Sequence, residues 1–311
     1  MMEYKYNSII QRLKYTIDWL IIRKQINLLA TFLFIAILFV ILSCKSEPIT
    51  TINSFDGVRL SFDNKGKGDV TIILVHGWSN TRIIWDDQIS HFSEKYKVIA
   101  VDLPGFGKSG NNRSEWTMES YGEDISSIIQ QLNLKKVVLV GFSLGAPIVI
   151  EAANKIPDQV IGVVMVDALQ DVDMKISAPM AQFIDSTMMD LVNNYTKEKL
   201  VDQGYVKKNI DSAFQRIVGF LEGASHVGWR ESLANLIIWQ NESCINSIKA
   251  VKVPIIAINS DLQPTKVEVF RRYVPTFEAK IVQDVGHLLM WDNPTKFNQL
   301  LEESIKEFIK D

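Results

Sequence analysis

Cysteine is nearly absent from this chain: 311 residues contain two, Cys44 and Cys244. That number excludes a disulfide framework, so the fold must hold by burial alone. Histidine is equally sparse, at positions 76, 91, 226 and 287. No pair of these has metal-ligand spacing with a cysteine, and no metal site or cofactor is expected. A surplus of charge is missing too. Lys and Arg number 33 against 36 Asp and Glu, a net charge of −3, which excludes the basic footprint of a nucleic-acid partner. With 9 prolines and 47% hydrophobic residues, the chain is neither disordered nor fibrous. Its length admits two domains, or one large domain with an insertion.

What is present begins with one apolar run. No charge occurs between Lys24 and Lys45, and Leu28 to Leu42 is apolar except for Thr31. Lys5, Arg12, Lys14, Arg23 and Lys24 precede it, a basic flank that stays inside under the positive-inside rule. The run ends at Ile41-Leu42-Ser43-Cys44, which resembles a bacterial lipobox. Residues 1–44 therefore read as a lipoprotein signal segment, with Cys44 as the lipidated residue. The alternative is an uncleaved anchor, since twenty residues of helix span about 30 Å, enough for a bilayer core. Either reading places the protein in the cell envelope, with its folded part outside the cytoplasm.

From Ile49 strand and helix signals alternate. Thr50–Phe55 and Val58–Phe62 flank Asp56-Gly57, a hairpin turn. Val70–Val75, Lys97–Val101, Val137–Val140 and Val160–Val166 are continuous apolar runs, as expected of strands covered on both faces. Helical patterns separate them, including one from Thr117 to Leu132. The alternation predicts a mostly parallel sheet with helices on both faces. It breaks at 168–251, which holds helical patterns and no strand run, and resumes with Val253–Asn259, Ala279–Gln283 and an amphipathic helix from Pro294. The reading is an α/β core of 49–167 and 252–311, with 168–251 as a helical insertion.

Gly141-Phe142-Ser143-Leu144-Gly145 joins a buried strand to a helix. That is the context of a nucleophile elbow, a sharp turn that presents Ser143 to solvent. A serine hydroxyl needs a base, and His287, after the last strand, lies where strand-end loops converge. His76-Gly77-Trp78 ends an earlier strand. There the N–H of Trp78, with that of Leu144, forms an oxyanion hole, and His76 holds the loop.

These motifs resemble the α/β-hydrolase family, in its branch with a helical cap, from about Thr50 to Ile309. The motifs that agree in order are His76-Gly77, Asp102-Leu-Pro-Gly-Phe-Gly-Lys-Ser109, Gly141 to Gly145, Val253 to Asp261, and Gly286-His287. The resemblance implies an α/β-hydrolase fold with the cap inserted after the sixth strand. It implies the chain order nucleophile, acid, histidine, filled by Ser143, Asp261 and His287. The turn before Asp261 is one residue shorter than is common in the family, and Asp167, one strand earlier, is the alternative acid. A serine at the elbow resembles the esterases, since epoxide hydrolases of the family carry aspartate there. The expected substrate is a small, partly apolar ester or acyl compound. Peptidase, carbon–carbon hydrolase, acyltransferase and a non-catalytic binding protein use the same framework. The insertion, through Met174, Met180, Phe183, Met188, Met189, Trp229 and Trp239, is expected to line an apolar pocket.

Overall fold

The computed structural model describes residues 50–221 and 226–310. The apolar run, the basic flank and Cys44 lie outside them. Among the described residues no helix is long and apolar enough to cross a membrane.

Eight strands form one sheet in the order β1-β2-β4-β3-β5-β6-β7-β8. β1 (Thr50–Asn53) and β2 (Arg59–Lys65) are the expected hairpin, and β2 runs antiparallel to β4 (Lys97–Asp102). Gly57, at φ 84°, supplies the left-handed turn residue between the first two. The other strands, β3 (Thr71–Val75), β5 (Val137–Phe142), β6 (Val160–Val166), β7 (Ile255–Ser260) and β8 (Glu278–Val282), pair in parallel.

Burial explains the central runs. Ile73 and Val75 of β3 enter one hydrophobic cluster, while Ile72 and Leu74 enter the other. A strand at this position needs an apolar residue at every step. Helix α1 (Asp86–Phe92) lies on one face of the sheet. Helices α2 (Met118–Gln131) and α3 (Gly145–Lys155) cover the other. The Thr117 side chain accepts from the Ser120 N–H and starts α2, as its sequence position predicts.

Between β6 and β7 stand α4 (Ala178–Asn193), α5 (Lys197–Asp202), α6 (Ile210–Leu221), α7 (His226–Glu242) and α8 (Cys244–Ala250). This is the helical cap after the sixth strand. Buried Trp239 ties it to the core by donating from Nε1 to Glu151 Oε1 at 2.7 Å. Short α9 (Val267–Arg271) and α10 (Leu289–Asp292) follow, and α11 (Pro294–Lys310) closes the chain with Phe297, Leu301 and Ile305 buried. β3, β5, β6, β7 and β8 all end at one edge, which delivers Gly77, Ser143, Asp167, Asp261 and His287 to neighbouring loops.

Candidate active site

Ser143 occupies a left-handed backbone conformation, φ 50°, between β5 and α3. A non-glycine residue there costs roughly 1–3 kcal/mol and persists only where the surroundings impose it. The glycines are part of those surroundings. A Cβ on Gly141 would lie 2.2 Å from the Gly145 carbonyl oxygen, and one on Gly145 would lie 2.6 Å from that of Val75. Larger residues would force α3 away from the sheet and take Ser143 out of position.

His287 lines the same cavity as Ser143. Its Nδ1 stands 2.6 Å from Asp167 Oδ2. Asp167 is 4% exposed and also takes a left-handed backbone, φ 44°. Its second oxygen accepts the Ser260 N–H at 2.7 Å. The carboxylate is therefore fixed at both oxygens and can hold the imidazole with Nε2 free as a base.

The expectation that Asp261 orients His287 is corrected. The Asp261 carboxylate accepts the N–H of Asp284 at 2.9 Å and of Val285 at 3.4 Å, and Lys207 Nζ lies 3.5 Å away. Those backbone donors, first that of Asp284, hold its pKa below the usual carboxylate value. After the shortened turn, β7 presents the Ser260 N–H toward the histidine's partner, and Asp261 braces the start of the histidine loop instead.

The Gly77–Trp78 peptide is set by His76. Buried His76 receives the Leu103 N–H at Nε2, 3.0 Å, and its Nδ1 lies 2.7 Å from Gly77 O. A backbone N–H can only donate and a carbonyl only accept, so the ring is neutral with its proton on Nδ1. Burial, which lowers its pKa, favours the same state. Because a trans peptide points its C=O and N–H in opposite directions, holding Gly77 O fixes the direction of the Trp78 N–H. Among the described residues neither Trp78 N–H nor Leu144 N–H has a hydrogen-bond acceptor. Both are thus open donors beside the elbow. The Trp78 indole is anchored separately, donating to Trp229 O of the cap at 2.7 Å.

The cavity over Ser143 measures about 370 Å³. Of the cap residues expected to line it, Met174 does so. Met180 and Phe183 are exposed, at 40% and 68%. Trp229 and Trp239 are buried among core residues, and Met188 accepts from Tyr205 Oη at 3.3 Å. The cavity is lined instead by Leu169, Ile176 and Leu236 beside Met174, with Gln170, Gln203 and Gln240 among them.

Sequence reasoning also missed how the cap supports the histidine. His287 N–H donates to Gly204 O and Leu288 N–H to Tyr205 O, both at 2.8 Å. Asp292, 5% exposed, accepts the N–H groups of Gly286, Lys207 and Lys208 at 2.7 to 2.8 Å. Gly286 is needed there, since a Cβ would meet Tyr205 O at 2.6 Å. The one sequence signal is Asp292-Asn293-Pro294, an acid just before a helix start, which reads as local capping.

A family model for the alpha/beta hydrolase fold matches residues 70–201. Among curated proteins, the pimeloyl-[acyl-carrier protein] methyl ester esterase of Wigglesworthia glossinidia brevipalpis is 24% identical over 255 residues, 78% of this chain and 96% of that one. Epoxide hydrolase 3 of Xenopus tropicalis is 24% identical over 279 residues, 81% of this chain and 76% of that one. Among solved structures, a thermophilic esterase from Thermogutta terrifontis superposes with a TM-score of 0.70 at 21% identity, covering 84% of this chain and 99% of the other. The chain has the alpha/beta hydrolase fold, and the relatives it resembles are named as esterases and an epoxide hydrolase.

Proposed function

We propose that the protein is a serine esterase that cleaves a small carboxylic ester through an acyl-enzyme. The observation that carries this reading is the 2.6 Å contact of Asp167 with His287, in a cavity shared with the strained Ser143. In this reading Ser143 Oγ attacks the ester carbonyl and passes its proton to His287 Nε2. The N–H groups of Trp78 and Leu144 bind the oxyanion, and Asp167 stabilises the imidazolium. The imidazolium then protonates the departing alcohol, and water deacylates Ser143 by the same route. An aspartate would occupy the elbow in an epoxide-opening relative, whereas a serine suits acyl transfer. No metal or organic cofactor enters the scheme. The N-terminal segment supports a place in the cell envelope, through lipid on Cys44 or an uncleaved anchor.

A fluorophosphonate probe tests the reading. It should label the protein once, at Ser143, and Ser143→Ala should abolish both labelling and aryl-ester hydrolysis. Labelling that persists in that variant would refute it.

A further inference from the structure

We infer that the cavity selects an uncharged ester carrying its own hydrogen-bond donors, a hydroxyl or an amide N–H, and that Gln240 is the residue that reads them. The inference rests on the esterase reading and adds the substrate class to it.

The carrying observation is which end of each amide is left over. Gln240 lines the cavity and is 6% exposed. Its Nε2 donates to Met174 O at 3.1 Å. A carbonyl oxygen only accepts, so the amide nitrogen must face Met174 and the orientation is settled. Oε1 remains, and it accepts no hydrogen bond from the described residues. Gln203 also lines the cavity, but its Oε1, which has no partner among the described residues, is closed off from it. Gln170 repeats the pattern more weakly, with Nε2 3.5 Å from Asp167 Oδ1. The cavity therefore presents the Gln240 carbonyl oxygen as an acceptor that a ligand N–H or O–H can reach. An acceptor that a bound ester shuts off from water is unfavourable without a donor, and an ester without N–H or O–H groups leaves it so.

Charge argues the same way. Among the described residues lining the cavity there is no Lys or Arg. The one carboxylate, Asp167, is engaged by His287 and Ser260. A substrate carboxylate would meet carbonyl oxygens with no cation to balance it. Leu169 and Leu236 provide apolar wall for the rest of the molecule. A volume of about 370 Å³ lies at the small end of ligand sites, which suits a compact ester rather than a long acyl chain.

The test uses the whole chain and five esters. 4-Nitrophenyl propanoate, 2-hydroxypropanoate and hemisuccinate vary the acyl side. Propyl acetate and 2,3-dihydroxypropyl acetate vary the alcohol side. Each kcat/KM is divided by the rate of hydroxide-catalysed hydrolysis, to remove intrinsic reactivity. In at least one pair the hydroxylated ester should exceed its plain partner by about tenfold or more, the hemisuccinate should fall below the propanoate, and Gln240→Met should bring the favoured ratio back toward one. Ratios near one in both pairs, or a hemisuccinate that is preferred, would overturn the inference while leaving the esterase reading intact. Should Gln240→Met fail to fold, the wild-type ratios decide alone. Hydrolysis of none of the five, with no fluorophosphonate labelling, would sink the esterase reading and the substrate class with it.

Discussion

Replacing Asp167 by Asn removes one charge and almost no volume, and the geometry of the site sets the consequence. The carboxylate has two jobs: Oδ1 accepts the Ser260 N–H at 2.7 Å and Oδ2 faces His287 Nδ1 at 2.6 Å. An asparagine has one acceptor and one donor end. Keeping the acceptor on Ser260, whose N–H cannot turn away, points the amide NH₂ at Nδ1. That donor favours the imidazole with its proton on Nε2, the tautomer that cannot take a proton from Ser143. Turning the amide over instead would set its NH₂ against the Ser260 N–H in a buried site. The first arrangement costs less, and the loss falls on catalysis. The tautomer defect and the missing stabilisation of the imidazolium together lower kcat by about 10³ to 10⁴, or about 4 to 5.5 kcal/mol of barrier.

The assay is steady-state hydrolysis of 4-nitrophenyl acetate by the wild type, Asp167→Asn and Asp261→Asn, with kcat and KM resolved separately. Asp167→Asn should lose kcat by about 10³ to 10⁴ with KM nearly unchanged, because the defect lies in the transition state. Asp261→Asn removes a brace from Asp284, Val285 and Lys207 rather than the partner of His287. Its kcat should stay within about tenfold. The reverse ranking would place the acid on Asp261 and refute the argument from the observed contacts.

Further consequences follow from the supports of the site. Asp292→Asn leaves three backbone donors with one carbonyl oxygen, so the fold should lose about 1–3 kcal/mol, read from the denaturant midpoint, and kcat should fall with it. His76 is neutral when folded and its pKa is lowered by burial, so its contribution is fully present above the unfolded pKa near 6.5 and is lost as pH falls below it. Unfolding free energies of the wild type should therefore drop by about 1.4 kcal/mol per pH unit below that point relative to His76→Gln; parallel curves would contradict the neutral, trapped ring. Intact-mass analysis of membrane-extracted protein should find a chain beginning at a lipidated Cys44, whereas a product still beginning near Met1 would favour the uncleaved anchor.

Much of the fold was legible because it depends on local pattern. Val160–Val166 coincides with β6 residue for residue, since a strand buried on both faces must be apolar throughout. The short helices α5, α8 and α9 left no such trace, being too brief to show a 3.6-residue period. That Ser143 and His287 meet at one cavity was readable from glycine spacing and chain position. The carboxylate that faces His287 was not, because Asp167 and Asp261 both follow strands at the same edge. Their choice turns on a one-residue difference in a loop and on the left-handed backbone at Asp167, a tertiary outcome. The glutamines of the cavity were illegible for a related reason: polar residues of an insertion read as solvent-facing until the lining is known.

The cap is more than a cover over the serine. Its segment from Gly204 to Asn209 takes the N–H groups of His287 and Leu288 and shares Asp292 with Gly286, while Asn209 Nδ2 donates to Trp291 O at 3.0 Å. Lys207 and Lys208 add ion pairs to Asp261 and Asp284. Lifting this segment would strip the histidine loop of its backbone partners and leave buried Asp292 short of donors, a large cost for a domain of ordinary stability. It therefore belongs to the scaffold of the histidine loop. On this view the acid and the cap are linked. With Asp167 serving His287, Asp261 is released to brace the loop and to pair with Lys207, so that one carboxylate orients the imidazole while the other helps the cap hold its backbone in place.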